Sequence, residues 1–238
     1  MTPEKVYAAL LKAFGPQGWW PVAGEYRKGD YGTPRNEAEA EEICAGAILT
    51  QNTAWKNVEN ALECLRAKKL LSLDAIAGAE PRKLAECVRS SGYYNQKTKK
   101  LKAFAEFAEQ NGGLGGLFAL PAEEIRGRLL SVKGIGPETA DSMVLYAAKK
   151  PKFVVDAYTK RIFSRLGLLE EKASYDEFQR LFERSLPNEF ALFNEYHALL
   201  VELAKRNCLN KEPRCGECPL VKQCAYAEGL RPSSSRIL

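Results

Sequence analysis

Histidine is almost missing from this chain: His197 is the only one among 238 residues. Metal sites built on mixed cysteine and histidine ligands therefore have little support. No run approaches the roughly 18 uninterrupted apolar residues of a membrane span. The stretch from Met1 to Phe14 meets Glu4 and Lys5 before any signal-like segment forms, so no membrane association and a cytoplasmic location are the expectation. Strand-like alternation is nearly absent. No charge sign dominates either: 35 Lys and Arg stand against 30 Asp and Glu, a net of +5, which suits a polyanionic partner without requiring one. With 45% apolar and 27% charged residues, a disordered or fibrous chain is excluded. The length also excludes a miniprotein that depends on disulfides.

What is present has the helical period, as in Val6-Leu10-Leu11-Phe14, Val58-Leu62-Leu65 and Phe104-Phe107-Ala108. Stops at Gly15-Pro16, Ser91-Gly92, Gly112-Gly113, Gly134 to Pro137 and Leu186-Pro187 separate these runs. An all-α protein of about ten helices is expected. The Gly-, Pro- and charge-rich segment Pro21 to Pro34 reads as a connector, and Lys149-Lys150-Pro151-Lys152 marks a second change. These points predict two helical lobes. Residues 32–150 form the middle one, residues 1–31 with 151–226 a discontinuous second one, and 227–238 a polar tail, with a ligand cleft between the lobes.

Seven cysteines are unevenly spread. Cys44, Cys64 and Cys87 lie in apolar helical sequence and read as small buried hydrophobes. Cys208, Cys215, Cys218 and Cys224 follow the spacing C-x6-C-x2-C-x5-C, dense enough to hold a metal centre. Spacing alone leaves a four-cysteine zinc site and an iron-sulfur cluster both open.

The stretch Ser131-Val132-Lys133-Gly134-Ile135-Gly136-Pro137-Glu138 ends one helix and starts another, with Pro137 where a first turn accepts it. It reads as a helix-hairpin-helix. Glycine permits close approach, so backbone N–H groups around Gly134, Ile135 and Gly136 can face a phosphate with Lys133 beside them. The same residues also suit a plain interhelical turn. Twenty residues after Gly136, Asp156 follows the apolar run Phe153-Val154-Val155 and opens a helix. Taken alone it is an N-cap.

Together with Leu49-Thr50-Gln51-Asn52-Thr53, Gly92-Tyr93-Tyr94-Asn95-Gln96-Lys97 and the cysteine segment, all in the same order, these motifs resemble the helix-hairpin-helix DNA glycosylase superfamily, the endonuclease III-like proteins. The resemblance covers most of the chain. It implies a six-helix barrel domain carrying the hairpin, and double-stranded DNA with damaged bases as the partner of a monomeric enzyme. It also implies a [4Fe-4S] cluster on the four clustered cysteines, shaping a loop that Lys205, Arg206, Lys211, Arg214 and Lys222 make basic. Asp156 becomes the catalytic residue, stabilising an oxocarbenium-like sugar and orienting or deprotonating a water. Gln51 would fill the space left by a flipped base, and Tyr93 would wedge into the stack.

One position departs from the bifunctional members of that family, which carry a lysine two residues after the second hairpin glycine. Here Glu138 stands there, and a carboxylate cannot form the imine that leads to strand cleavage. Lys133 and Lys160 are nearby amines but do not occupy the matched position. Gly18-Trp19-Trp20-Pro21, Trp55 and the Gly-x-Glu-x-Ala-Asp hairpin resemble the 3-methyladenine branch of the family. By that likeness Trp19 and Trp55 sandwich the base, while Trp20, Pro21 and Glu138 belong to the pocket. A cationic N-alkylated purine is attracted to electron-rich rings and is already a good leaving group. The expectation is a monofunctional glycosylase releasing alkylated purines by hydrolysis. Two alternatives stand beside it: a glycosylase for oxidised pyrimidines or other damaged or mispaired bases with weak lyase activity, and a non-catalytic protein that binds DNA damage.

Overall fold

The computed structural model describes residues 1–230. Among them are thirteen α-helices and no strand; one antiparallel bridge joins Val22 to Glu25. The all-α expectation holds. The helices beyond about ten come from short stretches of five to seven residues that periodicity cannot register. No helix among the described residues is long and apolar enough to cross a membrane. The chain divides into two compact units, one spanning Trp20–Lys152, the other joining Met1–Trp19 to the chain from Phe153 onward.

In the first of these, α2 (Glu37–Leu49) is buried from Ala40 to Leu49 apart from Glu41. Its Ala, Gly, Ile and Cys residues leave no polar face, the pattern of a helix wrapped on all sides. Around it lie α3 (Trp55–Ala67), α4 (Leu73–Gly78), α5 (Pro81–Cys87), α6 (Tyr94–Gln110), α7 (Gly113–Phe118), α8 (Ala122–Leu130) and α9 (Pro137–Ser142). Eight α-helices fall in this unit, which starts at Trp20. The 20–31 segment is fastened to α2, because Ala23 N–H donates to Glu42 Oε1 at 2.8 Å and Arg27 reaches both oxygens of Glu39. The connector between the expected elements is thus tied down by α2, with Arg27 bound to Glu39.

Of the three scattered cysteines, Cys44 is buried in α2. Cys64 and Cys87 are not independent fillers: their sulfurs touch at 2.6 Å, on α3 and α5.

The other unit contains α1 (Pro3–Phe14), α10 (Ala157–Arg165), α11 (Tyr175–Ser185), α12 (Phe190–Arg206) and α13 (Ala225–Gly229). A capping box starts α11, with Ser174 and Glu177 each satisfying the other's backbone N–H. Its buried face sets Phe182 flat on Phe153, with centroids 3.7 Å apart. Phe163, Phe193 and Tyr196 close around that pair. The Tyr196 hydroxyl donates to the Pro3 carbonyl at 2.8 Å, tying α12 to α1. Of the expected tail 227–238, the first residues close α13, and 231–238 lie outside the described residues.

Candidate active site

The hairpin forms as its sequence requires. α8 ends at Leu130, Ile135 N–H returns to Val132 O at 3.0 Å, and Gly136 caps α9 with Pro137 in its first turn. Ile135 is 5% exposed and plugs the turn, while Lys133 and Gly134 face solvent. Gly134 has φ +94°, and a Cβ there would meet the Lys100 side chain at 2.8 Å. Both backbone handedness and space therefore demand glycine. Arg126 on α8 binds the fully buried Asp141 on α9 at 2.7 Å, locking the two helices. Glu138 is exposed on the first turn of α9, where the helix dipole favours a carboxylate. Beyond Ser142 the helix widens into a π-type turn, Met143–Ala147.

Gln51 is bound to this hairpin. Its Nε2 donates to Gly134 O at 3.1 Å and to Thr139 Oγ1 at 2.9 Å, and its Oε1 accepts from Lys100 Nζ. Tyr93 is 66% exposed and held left-handed at φ +45°, a conformation that costs a non-glycine residue about 1–3 kcal/mol. Behind both sits Lys97, 2% exposed, which donates to Leu49 O at 2.7 Å and Ser91 O at 2.6 Å. One ammonium thus joins the last turn of α2, which leads to Gln51, to the turn that leads to Tyr93. Burial, with a lesser contribution from Lys100, lowers its pKa to about 8. Nothing local in the sequence marks Lys97 for burial, since its neighbours Gln96 and Lys99 face solvent.

An aromatic wall lies in the same unit. Trp20 is 6% exposed and meets Trp55 edge-on at 5.2 Å and Tyr146, from the π-type turn, at 5.3 Å. Pro21 is buried beside it, and Trp55 is partly exposed. Tyr146 escaped the sequence reading because one tyrosine in an apolar helix looks like packing.

In the unit containing α10, the run Phe153-Val154-Val155 is buried and delivers Asp156 to the helix N-terminus. Asp156 Oδ1 accepts from Thr159 N–H at 2.7 Å, so the capping role is real. Its other oxygen stands 3.5 Å from His197 Nε2 on α12. Burial pushes the Asp156 carboxyl up, but His197 and the Thr159 donors outweigh it and hold the pKa below the ordinary value. The group is an anion at neutral pH. Lys160 is engaged elsewhere, donating to Ala173 O at 3.3 Å with its Nζ over the Phe178 ring. Lys205 Nζ lies over the Trp19 ring at 5.8 Å.

Cys208, Cys215, Cys218 and Cys224 line one small cavity with Pro213 and Val221. Arg165 tethers the loop: its guanidinium donates to Leu209 O at 2.6 Å and Asn210 O at 2.8 Å, and its carbonyl accepts from Cys224 Sγ. Among the described residues no three Cys, His, Asp or Glu side chains converge on the position of a single ion. Lys205, Arg206, Lys211, Arg214 and Lys222 are all exposed around the loop.

The model of the HhH-GPD superfamily base excision DNA repair protein matches residues 45–188. A relative from Methanocaldococcus jannaschii, named "Putative DNA repair glycosylase MJ1434", is 43% identical over 223 residues, 92% of this chain and 94% of its own length. Among solved structures, the H. pylori 3-methyladenine DNA glycosylase MagIII bound to 1,N6-ethenoadenine superimposes with TM-score 0.70 at 30% identity, covering 88% of this chain and all of that one. An endonuclease III–DNA complex shares the fold at TM-score 0.76 and 19% identity, over 97% of this chain and 98% of that one. The chain belongs to the HhH-GPD superfamily of base excision DNA repair proteins. Its activity is that of a DNA repair N-glycosylase, which separates a base from its deoxyribose.

Proposed function

We propose that this glycosylase releases alkylated purines such as 3-methyladenine from double-stranded DNA by hydrolysis, acting as a monomer on a nucleotide turned out of the helix. The observation that carries the reading is the ring wall of Trp20, Trp55 and Tyr146. Electron-rich rings attract a cationic purine more than a neutral one, and a cationic base departs without a strong general acid. The likeness to MagIII at 30% identity supports the same substrate class.

In this reading Trp55 and Trp19 stack on the base, with Trp20 and Pro21 behind them and Glu138 at the pocket. Asp156, an anion held by Thr159, stabilises the positive charge that develops on the sugar and orients or deprotonates the attacking water. Gln51, fixed by three hydrogen bonds, fills the gap left by the base, and the exposed Tyr93 enters the stack. Backbone N–H groups around Gly134, Ile135 and Gly136, with Lys133, hold a phosphate. With a carboxylate at Glu138 and no matched lysine, abasic DNA is not captured as an imine.

A [4Fe-4S] cluster fits the cysteine loop. The four cysteines line one cavity, thiolates are the ligands such clusters take, and the likeness to endonuclease III-like proteins favours the cluster over a four-cysteine zinc site. Cys208, Cys215, Cys218 and Cys224 would hold it, and it would shape the basic loop against the DNA backbone.

Duplexes carrying single 3-methyladenine, 7-methylguanine, thymine glycol or uracil test the reading. Free base should appear from the alkylated purines, and Asp156→Asn should abolish release while DNA binding stays within about threefold. Release of thymine glycol in place of the purines would move the enzyme to oxidised pyrimidines.

A further inference from the structure

We infer that His197 is a positioning residue for Asp156. The inference rests on the reading of Asp156 as the group facing the sugar, and it assigns a role to the one histidine in the chain. His197 Nε2 stands 3.5 Å from Asp156 Oδ2, and the two side chains are only 9% and 15% exposed.

The carboxylate is therefore held at both oxygens. Oδ1 is fixed from within its own helix by the Thr159 N–H, a bond that restrains the group but leaves rotation about it open. Oδ2 faces a ring from α12, and a second restraint from another helix removes that rotation. The plane of the carboxylate, and thus the direction of its free lone pairs, is set by the pair of partners.

α12 is anchored well enough for this purpose. Tyr196, one residue before His197, is buried in the aromatic cluster and bonds Pro3 O. Glu195, 1% exposed, accepts from Gln17 N–H at 2.8 Å. The imidazole thus hangs from a stretch whose two preceding residues are pinned. A buried polar side chain in such a helix needs a partner, and Asp156 supplies one.

The chemical consequence lies in the charge presented to the sugar. An imidazole nitrogen 3.5 Å from Oδ2 favours the ionised carboxylate and limits its rotation, much as a carboxylate partner orients an imidazole in hydrolase triads. Loss of that partner leaves Asp156 still capping α10 through Thr159 N–H but free to turn.

The test is single-turnover base release together with DNA affinity and melting temperature, on full-length His197→Phe, His197→Gln and Asp156→Asn. His197→Phe keeps a flat ring and removes the donor. It should slow release roughly 10- to 100-fold with DNA affinity unchanged. His197→Gln restores an N–H at similar reach and should recover most of the lost rate. A His197→Phe protein that releases base at the wild-type rate, or a His197→Gln protein as slow as His197→Phe with both fully folded, overturns the inference. Should His197→Phe fail to fold, the Gln variant decides alone: its release must lie within a few-fold of wild type. Asp156→Asn separates the two claims. If it keeps releasing base, the reading of Asp156 fails; if it is inactive while His197→Phe is not slowed, only the role of His197 fails.

Discussion

The Trp20 indole lies directly against the backbone of Gly46: a methyl group placed on Gly46 would come within 2.9 Å of Trp20 Cζ2. Glycine in mid-helix normally weakens the helix, and here it makes room for a ring. Gly46→Ala should push Trp20 toward Trp55 and Tyr146. The expected cost is about 1–3 kcal/mol of stability, with release of 3-methyladenine reduced roughly tenfold, in keeping with a misplaced contact. Thermal melting and single-turnover release measure the two effects separately.

Lys97 gives the second expectation. Lys97→Met strips Leu49 O and Ser91 O of their buried donor and should destabilise the protein by about 1–3 kcal/mol. Slower base release should accompany the loss, since the stretches leading to Gln51 and Tyr93 lose their tie.

The same lysine gives a pH signature. Its pKa is about 8 in the folded protein and about 10.5 in the unfolded chain. Between those values the unfolded chain binds the extra proton, so stability rises with pH there. Below about pH 8 both states are protonated and the contribution is flat. Denaturant midpoints of wild type and the less stable Lys97→Met should draw further apart from about pH 8 to 10, as wild type gains stability; parallel curves would contradict it.

Glu138→Lys restores an amine at the position that lyases use. Glu138 is exposed, so the fold should survive with a loss of about 0.3–1 kcal/mol at the helix N-terminus. Borohydride should trap the variant on abasic DNA and leave the wild type untrapped.

The cysteine loop offers a direct assay. Purified protein should be brown and carry about four irons and four labile sulfides per chain. Cys218→Ser should lose them, weaken DNA binding and flatten its salt dependence as the basic loop opens. Colourless protein with one zinc would replace the cluster assignment.

Much of the fold was legible because it is written in local pattern. Gly134, Gly136 and Pro137 spell a helix end and a helix start, and the buried run before Asp156 announces the next cap. The features that escaped depend on pairs far apart in sequence. Lys97 finds Leu49 across 48 positions, and Gln51 reaches Gly134 across 83. Periodicity sees neither. His197 drew notice only as an improbable zinc ligand, since nothing around it in the sequence mentions an aspartate 41 residues earlier. Cys64 and Cys87 failed similarly: each looks like a lone apolar filler until α3 and α5 are brought together. For the connector, glycine and charge mark a loop but not that Arg27 ties it to Glu39.

The bond from the Tyr196 hydroxyl to Pro3 spans 193 positions, which has a consequence for the order of events during synthesis. α1 is made before the whole of Trp20–Lys152, yet its packing partners α11 and α12 are made only after it. That middle unit is free to fold while translation continues. The nascent α1, with Val6 and Leu10 destined for the interior, must wait with its apolar stripe uncovered, so residues made before the middle unit find their place only after it.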